Sequence, residues 1–147
     1  VISVASCALN CRPNCAPKML VDVLEPNHIY FLDYKHTQTF SNIGTNPWVS
    51  LSFMDDDSFT GYRLTGPCHV LASGKEYDAA KKSWEKRLIS YEADRIIKRI
   101  TGKYSSREAE NVLPSDFVVM KMTAKEGSTV KPDRVLRAVH SSDTDTH

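Results

Sequence analysis

An excess of either charge is missing from this chain: 19 basic residues face 18 acidic ones, for a formal net charge of +1. Without a strongly basic face there is no general electrostatic case for nucleic acid or an anionic membrane. Long apolar runs are also missing, and none approaches the roughly 18 residues that a membrane span requires. No basic n-region and apolar h-region of a signal peptide appear. Cysteine is scarce: Cys7, Cys11 and Cys15 fall together in CALNCRPNC and Cys68 stands alone, so no CxxC framework exists. A spacing of four aligns the first three only on a helix. However, VISVASCAL is rich in β-branched residues and NCRPN in turn residues. On a hairpin the three point in different directions, which favours small buried or turn thiols over a metal site. A reducing cytoplasm is the expected compartment.

Catalytic signatures are absent too: there is no GxSxG elbow, Walker loop or GxGxxG. His28, His36, His69, His140 and His147 have no helical metal-ligand spacing. The acidic run Asp55–Asp57 lacks the Gly and downstream Glu of an EF-hand loop and reads as a solvated hairpin tip.

What is present describes an ordinary globular chain: 147 residues, 41% hydrophobic and 25% charged. That length fits one domain, expected over residues 1–140, which buries roughly two-thirds of its unfolded surface. HSSDTDTH has no apolar residue, so residues 141–147 are expected to form a frayed tail. Strands are expected at VISVASCAL, NCAPKMLVDVL and HIYFLDY. A further strand is WVSLSFM, where Val49, Leu51 and Phe53 alternate with Ser50, Ser52 and Met54, and FTGYRLTGPCHVLA follows. Short strands joined by turn residues suggest an antiparallel sheet or barrel.

From Glu76 to Ile100 there is no Gly or Pro, and Tyr77, Ala80, Trp84, Leu88 and Tyr91 form a helical packing face. The stripe then moves to Ile89, Ala93, Ile96, Ile97 and Ile100, which predicts either a kink or two helices, with Gly102 as a stop. A helical turn at SSREAEN, ended by Pro114, precedes a last strand at DFVVMKM, a turn at KEGS and a possible further strand at RVLRAV.

Residues 33–46 concentrate polar groups: Asp33, Lys35, His36, Thr37, Thr39, Ser41, Asn42, Thr45 and Asn46. Hydroxyls, amides and one Lys beside a helix start suit a small anion such as phosphate. The plainer reading is that Thr37 or Thr39 caps a short helix through Ile43, with Gly44 as its stop. Spacing alone favours the cap.

HIYFLDYKHTQTFSNIGTNPWVSLSF resembles the central stretch of the pyridoxamine 5′-phosphate oxidase-like, FMN-binding split-barrel proteins. Their pattern is an apolar strand with a polar end, Ser/Thr-x-Lys, an amide, then Asn-Pro and a Val-Ser-Leu strand. NCRPNCAPKML is similar to the family's upstream turn, and YRLTGPCHVLASGKEYDAA to its Gly-containing strand leading into a helix. The resemblance covers most of residues 1–100. It implies a mainly β fold with helices: a six-stranded Greek-key split β-barrel that dimerises with itself, with FMN in a groove at the interface.

The resemblance further implies that Lys18, Met19, Leu20 and Val21 line the flavin ring together with Leu32 and Asp33. It puts Thr37 and Thr39 at the phosphate. Thr39 stands where the family usually has a Lys, a charge that Lys35 or Lys18 would have to replace. Trp48 stands where an Arg is common, and Cys11 where a Gly is common. RVLRAVH lacks the Trp-Arg-Leu-x-Pro ending of true pyridoxamine phosphate oxidases. The expected function is a flavin-dependent oxidoreductase with a small-molecule substrate or electron donor. The alternative is a non-catalytic binding or sensor protein holding flavin, F420 or haem. Flavin chemistry needs no side chain as general base, so no catalytic residue is expected.

Overall fold

The computed structural model describes residues 1–24, 26–101, 117–131 and 135–139. Strands β1 (Ile2–Cys7) and β2 (Pro13–Leu24) form a hairpin, and β3 (His28–Asp33) pairs with β2. A helix α1 (Gln38–Thr45) leads into β4 (Trp48–Asp55) and β5 (Thr60–Leu71). The long helix α2 (Lys75–Ile100) precedes β6 (Val118–Thr123), β7 (Glu126–Val130) and β8 (Val135–Val139). The antiparallel order β4-β1-β2-β3-β6-β5 closes on itself because β4 also pairs with β5, giving the expected six-stranded barrel. Strands β7 and β8 extend it from one edge of β5.

At the β1–β2 turn Cys11 has φ of 62°, a left-handed conformation that favours Gly. The Cys11 amide donates to the Ala8 carbonyl at 2.9 Å, and Asn10 Oδ1 accepts from the Arg12 amide at 3.1 Å. The turn therefore demands the geometry that its sequence position suggests, and a cysteine supplies it.

Strands β3 and β6 are buried on both faces, which explains why HIYFL and FVVMKM read as nearly continuous apolar runs. Phe31, Met120 and Met122 point into the barrel with Val4, Leu51 and Cys68. Tyr30 and Val119 point outward, beneath Ala80 and Trp84 of α2. Tyr77 and Leu88 pack on the same outer cluster. The Tyr91 side chain, the Gly102 stop, the SSREAEN turn and residues 140–147 lie outside the described residues.

Some expectations are corrected. Helix α2 is one continuous element rather than two helices, and its second stripe of Ile89, Ala93, Ile96, Ile97 and Ile100 is exposed. Helix α1 runs past Gly44 and is capped by Asn46, whose amide donates to the Asn42 carbonyl at 2.7 Å. Phe53 is 42% exposed because β4 outruns the barrel core that covers Val49 and Leu51. The KEGS segment is mostly strand β7, with the direction change at Ala124-Lys125.

One edge of β5 is shared: Cys68–Leu71 pair with β6 and Gly61–Thr65 with β7. The chain crosses between these partners directly over Gly66, where an added Cβ would meet the Thr123 carbonyl oxygen at 2.0 Å. Gly66→Ala should therefore lower stability by about 3 kcal/mol or more, since backbone must move. Gly44→Ala has nothing within 4 Å and should raise stability by about 0.5–1 kcal/mol. Urea unfolding midpoints of the two variants should move in opposite directions.

Candidate functional site

The polar run at the end of β3 is organised around one carboxylate. Asp33 is 1% exposed, and its Oδ1 accepts from Lys18 Nζ at 2.5 Å, the Tyr34 amide at 2.8 Å and Thr37 Oγ1 at 2.9 Å. Lys18, on β2, is 8% exposed. This is a buried ion pair whose desolvation is offset by convergent donors on one oxygen. Among the described residues Asp33 Oδ2 has no hydrogen-bond partner. Burial, reinforced by the Asp33 charge, pushes the nearby Cys68 thiol up to about 12, which leaves it an inert core group.

Thr37 connects this centre to α1. While donating to Asp33 it accepts from the Phe40 amide at 3.1 Å, as an N-cap. Thr39 is fully buried, and its Oγ1 accepts from Asn14 Nδ2 at 3.1 Å. Asn14 and Asn42 also donate to Ser6 Oγ, at 3.2 and 3.1 Å. Asn46 Nδ2 donates to the Cys7 carbonyl at 3.3 Å, and Thr45 Oγ1 to the Asn42 carbonyl at 3.0 Å. The amides and hydroxyls thus stitch α1 to the β1–β2 hairpin. Lys35, His36 and Ser41 stay exposed, with the His36 ring stacked on Tyr34 at 5.6 Å.

Beside the ion pair lies a cavity of about 270 Å³ lined by Lys18, Met19, Leu32, Asp33, Trp84 and Phe117, among others. Four of the nine residues expected at a cofactor therefore share one hollow. Of the other five, Leu20 lines a separate apolar hollow of about 500 Å³ at the barrel end. Val21 is buried beneath α2, and Lys35, Thr37 and Thr39 are placed as described above. Trp84 and Phe117 were missed. Their rings meet edge to face, with centroids 6.2 Å apart at 74°, and Trp84 Nε1 has no partner among the described residues. Trp84 reads in the sequence as a packing residue. The clue lay in its indole N–H, which needs an acceptor wherever it is buried.

The first turn of α2 is clamped to β6 by Lys121 Nζ, which donates to both Glu76 carboxylate oxygens at 2.8 Å. That hydrogen bond holds the Glu76 carboxyl below its ordinary 4.5, so charged Glu76 stabilises the fold above that value and the contribution fades as pH falls through the lowered one. Among the described residues no group of His, Cys, Asp or Glu is placed to hold a metal, and no helix is long and apolar enough to cross a membrane.

A protein-family model described as pyridoxamine 5′-phosphate oxidase matches residues 1–131. The chain belongs to this family. No curated protein sequence matches it. Among solved structures, it is similar to a Clostridium acetobutylicum protein related to general stress protein 26 of B. subtilis, at 16% identity and TM-score 0.65, over 94% of this chain and 84% of that one. An FMN-binding protein from Nostoc punctiforme matches at 13% identity and TM-score 0.58, over 92% and 77%. A heme-binding protein from Mycobacterium smegmatis matches at 13% identity and TM-score 0.64, over 94% and 52%. Identities this low carry the fold, a mainly antiparallel split barrel, and not a function.

Two outcomes are expected from substitutions. Lys18→Met should cost about 3–5 kcal/mol by leaving Asp33 buried and uncompensated, and Lys18→Met with Asp33→Asn should recover part of that loss in denaturant titrations. Glu76→Gln should flatten the acid limb of the stability–pH curve below pH 4.5 relative to the wild type.

Proposed function

We propose that the chain is a homodimeric FMN-binding protein acting as a flavin-dependent oxidoreductase on a small molecule, in a reducing cytoplasm. The cavity between β2, β3 and α2 carries this reading, because it joins Lys18, Met19, Leu32 and Asp33 beside Trp84 and Phe117. Largely apolar walls that include two aromatic side chains, Trp84 and Phe117, with two polar atoms unmet among the described residues, suit a planar heteroaromatic ring better than an aliphatic ligand. Bound there, FMN supplies hydride or electron transfer with NAD(P)H or another small donor. The protein binds and orients the ring, and no side chain is assigned as catalytic.

Lys35, Thr37 and Thr39 form the phosphate end of the reading. Thr37 already donates to Asp33, and Thr39 is buried against Asn14. The exposed Lys35 is therefore assigned the larger share of phosphate binding. Family membership supports a dimer with the cofactor at its interface, as do the exposed Val23, Trp48 and Met54 of β2 and β4. Four free cysteines are consistent with a reducing compartment.

A second reading, a non-catalytic flavin, F420 or haem sensor, is favoured by the same weak phosphate end, where two hydroxyls are committed inside the protein. Reconstitution with FMN and riboflavin separates the readings. Lys35→Ala with Thr39→Ala should weaken FMN by about 1–3 kcal/mol and leave riboflavin unchanged. Bleaching of the flavin bands by NAD(P)H supports the enzyme, and bound flavin that stays oxidised supports the sensor. A colourless protein that takes up no FMN overturns both flavin readings, and a monomer by light scattering overturns the dimer.

A further inference from the structure

Asp33 Oδ2 and Trp84 Nε1 are the two buried side-chain polar atoms without a hydrogen-bond partner among the described residues. Both residues line the same cavity, and they are 1% and 3% exposed. Their chemistry is complementary: a carboxylate oxygen accepts, whereas an indole N–H only donates. Buried polar atoms are normally satisfied, so an unmet acceptor and an unmet donor on two residues that line one cavity indicate that something else completes them. Of the other lining residues, Val1, Pro17, Met19, Leu32 and Phe117 have apolar side chains, Lys18 is already bound to Asp33 Oδ1, and the Tyr34 phenol is the one further polar side-chain group.

We infer that this cavity reads a ligand edge in which an N–H stands beside a carbonyl, the edge of a cyclic imide, ureide or lactam. The ligand N–H donates to Asp33 Oδ2, and the ligand carbonyl accepts from Trp84 Nε1. Lys18, Tyr34 and Thr37 hold Oδ1 and leave Oδ2 as the free acceptor. The inference rests on the flavin reading and sharpens it. The pyrimidine end of an isoalloxazine or a deazaflavin has such an edge, and a porphyrin does not. Asp33 and Trp84 become the residues that discriminate among the cofactor classes, and Trp84 joins the site from a helix that otherwise serves packing.

The test uses lumiflavin, which lacks the phosphate arm, and its 3-methyl derivative, in which the N–H is blocked. The chain has two tryptophans, so Trp48→Phe leaves Trp84 as the only indole, and its emission reports on the cavity. Lumiflavin should bind about tenfold or more tightly than 3-methyllumiflavin, the worth of a hydrogen bond to a charged group. Trp84→Phe at unchanged melting temperature should cost lumiflavin a similar factor, read from flavin fluorescence. Equal affinity for the two flavins overturns the edge while leaving flavin binding intact. If neither flavin binds, the flavin reading fails, and uracil and 3-methyluracil are titrated against Trp84 emission. A preference for uracil then upholds the edge, and no response overturns it.

Discussion

A single carboxylate buried at the end of β3 holds this part of the molecule together. Asp33 draws three donors onto one oxygen: an ammonium from β2, the amide that follows it, and the hydroxyl that starts α1. Each donor belongs to a different structural task. Lys18 fixes β2 beside β3, the Tyr34 amide shapes the exit from the strand, and Thr37 orients the helix cap. A buried charge is costly unless it is satisfied, so the three elements have one low-energy arrangement. The cavity follows in part from that arrangement, because two of its walls, β2 and β3, carry the ion pair.

Packing then explains where the cavity sits. Strands β3 and β6 are sandwiched between the barrel interior and α2, and the cavity takes its walls from the sheet and the helix. Helix α2 contributes through its first half, where Ala80, Trp84 and Leu88 face the sheet. Its clamp to β6 through Glu76 and Lys121 fixes the helix about two turns before Trp84, and that sets the position of the indole.

Much of the fold was legible because its rules are local. Alternation marked β4, unbroken apolar runs marked the doubly buried β3 and β6, and the absence of Gly and Pro marked α2. The errors arose where tertiary context overrode local chemistry. Gly44 looked like a helix stop, yet Asn46 caps the helix because its side chain ties to the Cys7 carbonyl on the facing hairpin. The KEGS segment looked like a turn, yet it lies along β5, an edge that no local pattern shows to be vacant. At the site, Lys18, Met19, Leu32 and Asp33 came from the family resemblance and share one cavity. Trp84 and Phe117 escaped because their partners are distant in sequence. The role of Thr37 was visible as capping chemistry, but its bond to Asp33 was not, and Thr39, the other candidate cap, is instead buried against Asn14.

Strand β6 closes the barrel by lying between β3 and β5, although most of the chain separates it from β3. Strands β1 to β5 are joined by short connections and can pair soon after they are made. The last seam must wait for α2 and the segment beyond it, at the largest loop-closure cost in the fold. Until then β3 and the far half of β5 present bare edges, open to pairing with another chain. Of all the strand pairings in the described fold, this seam joins residues farthest apart in sequence. The stretch that protects the nascent strands from one another is the one synthesised after them.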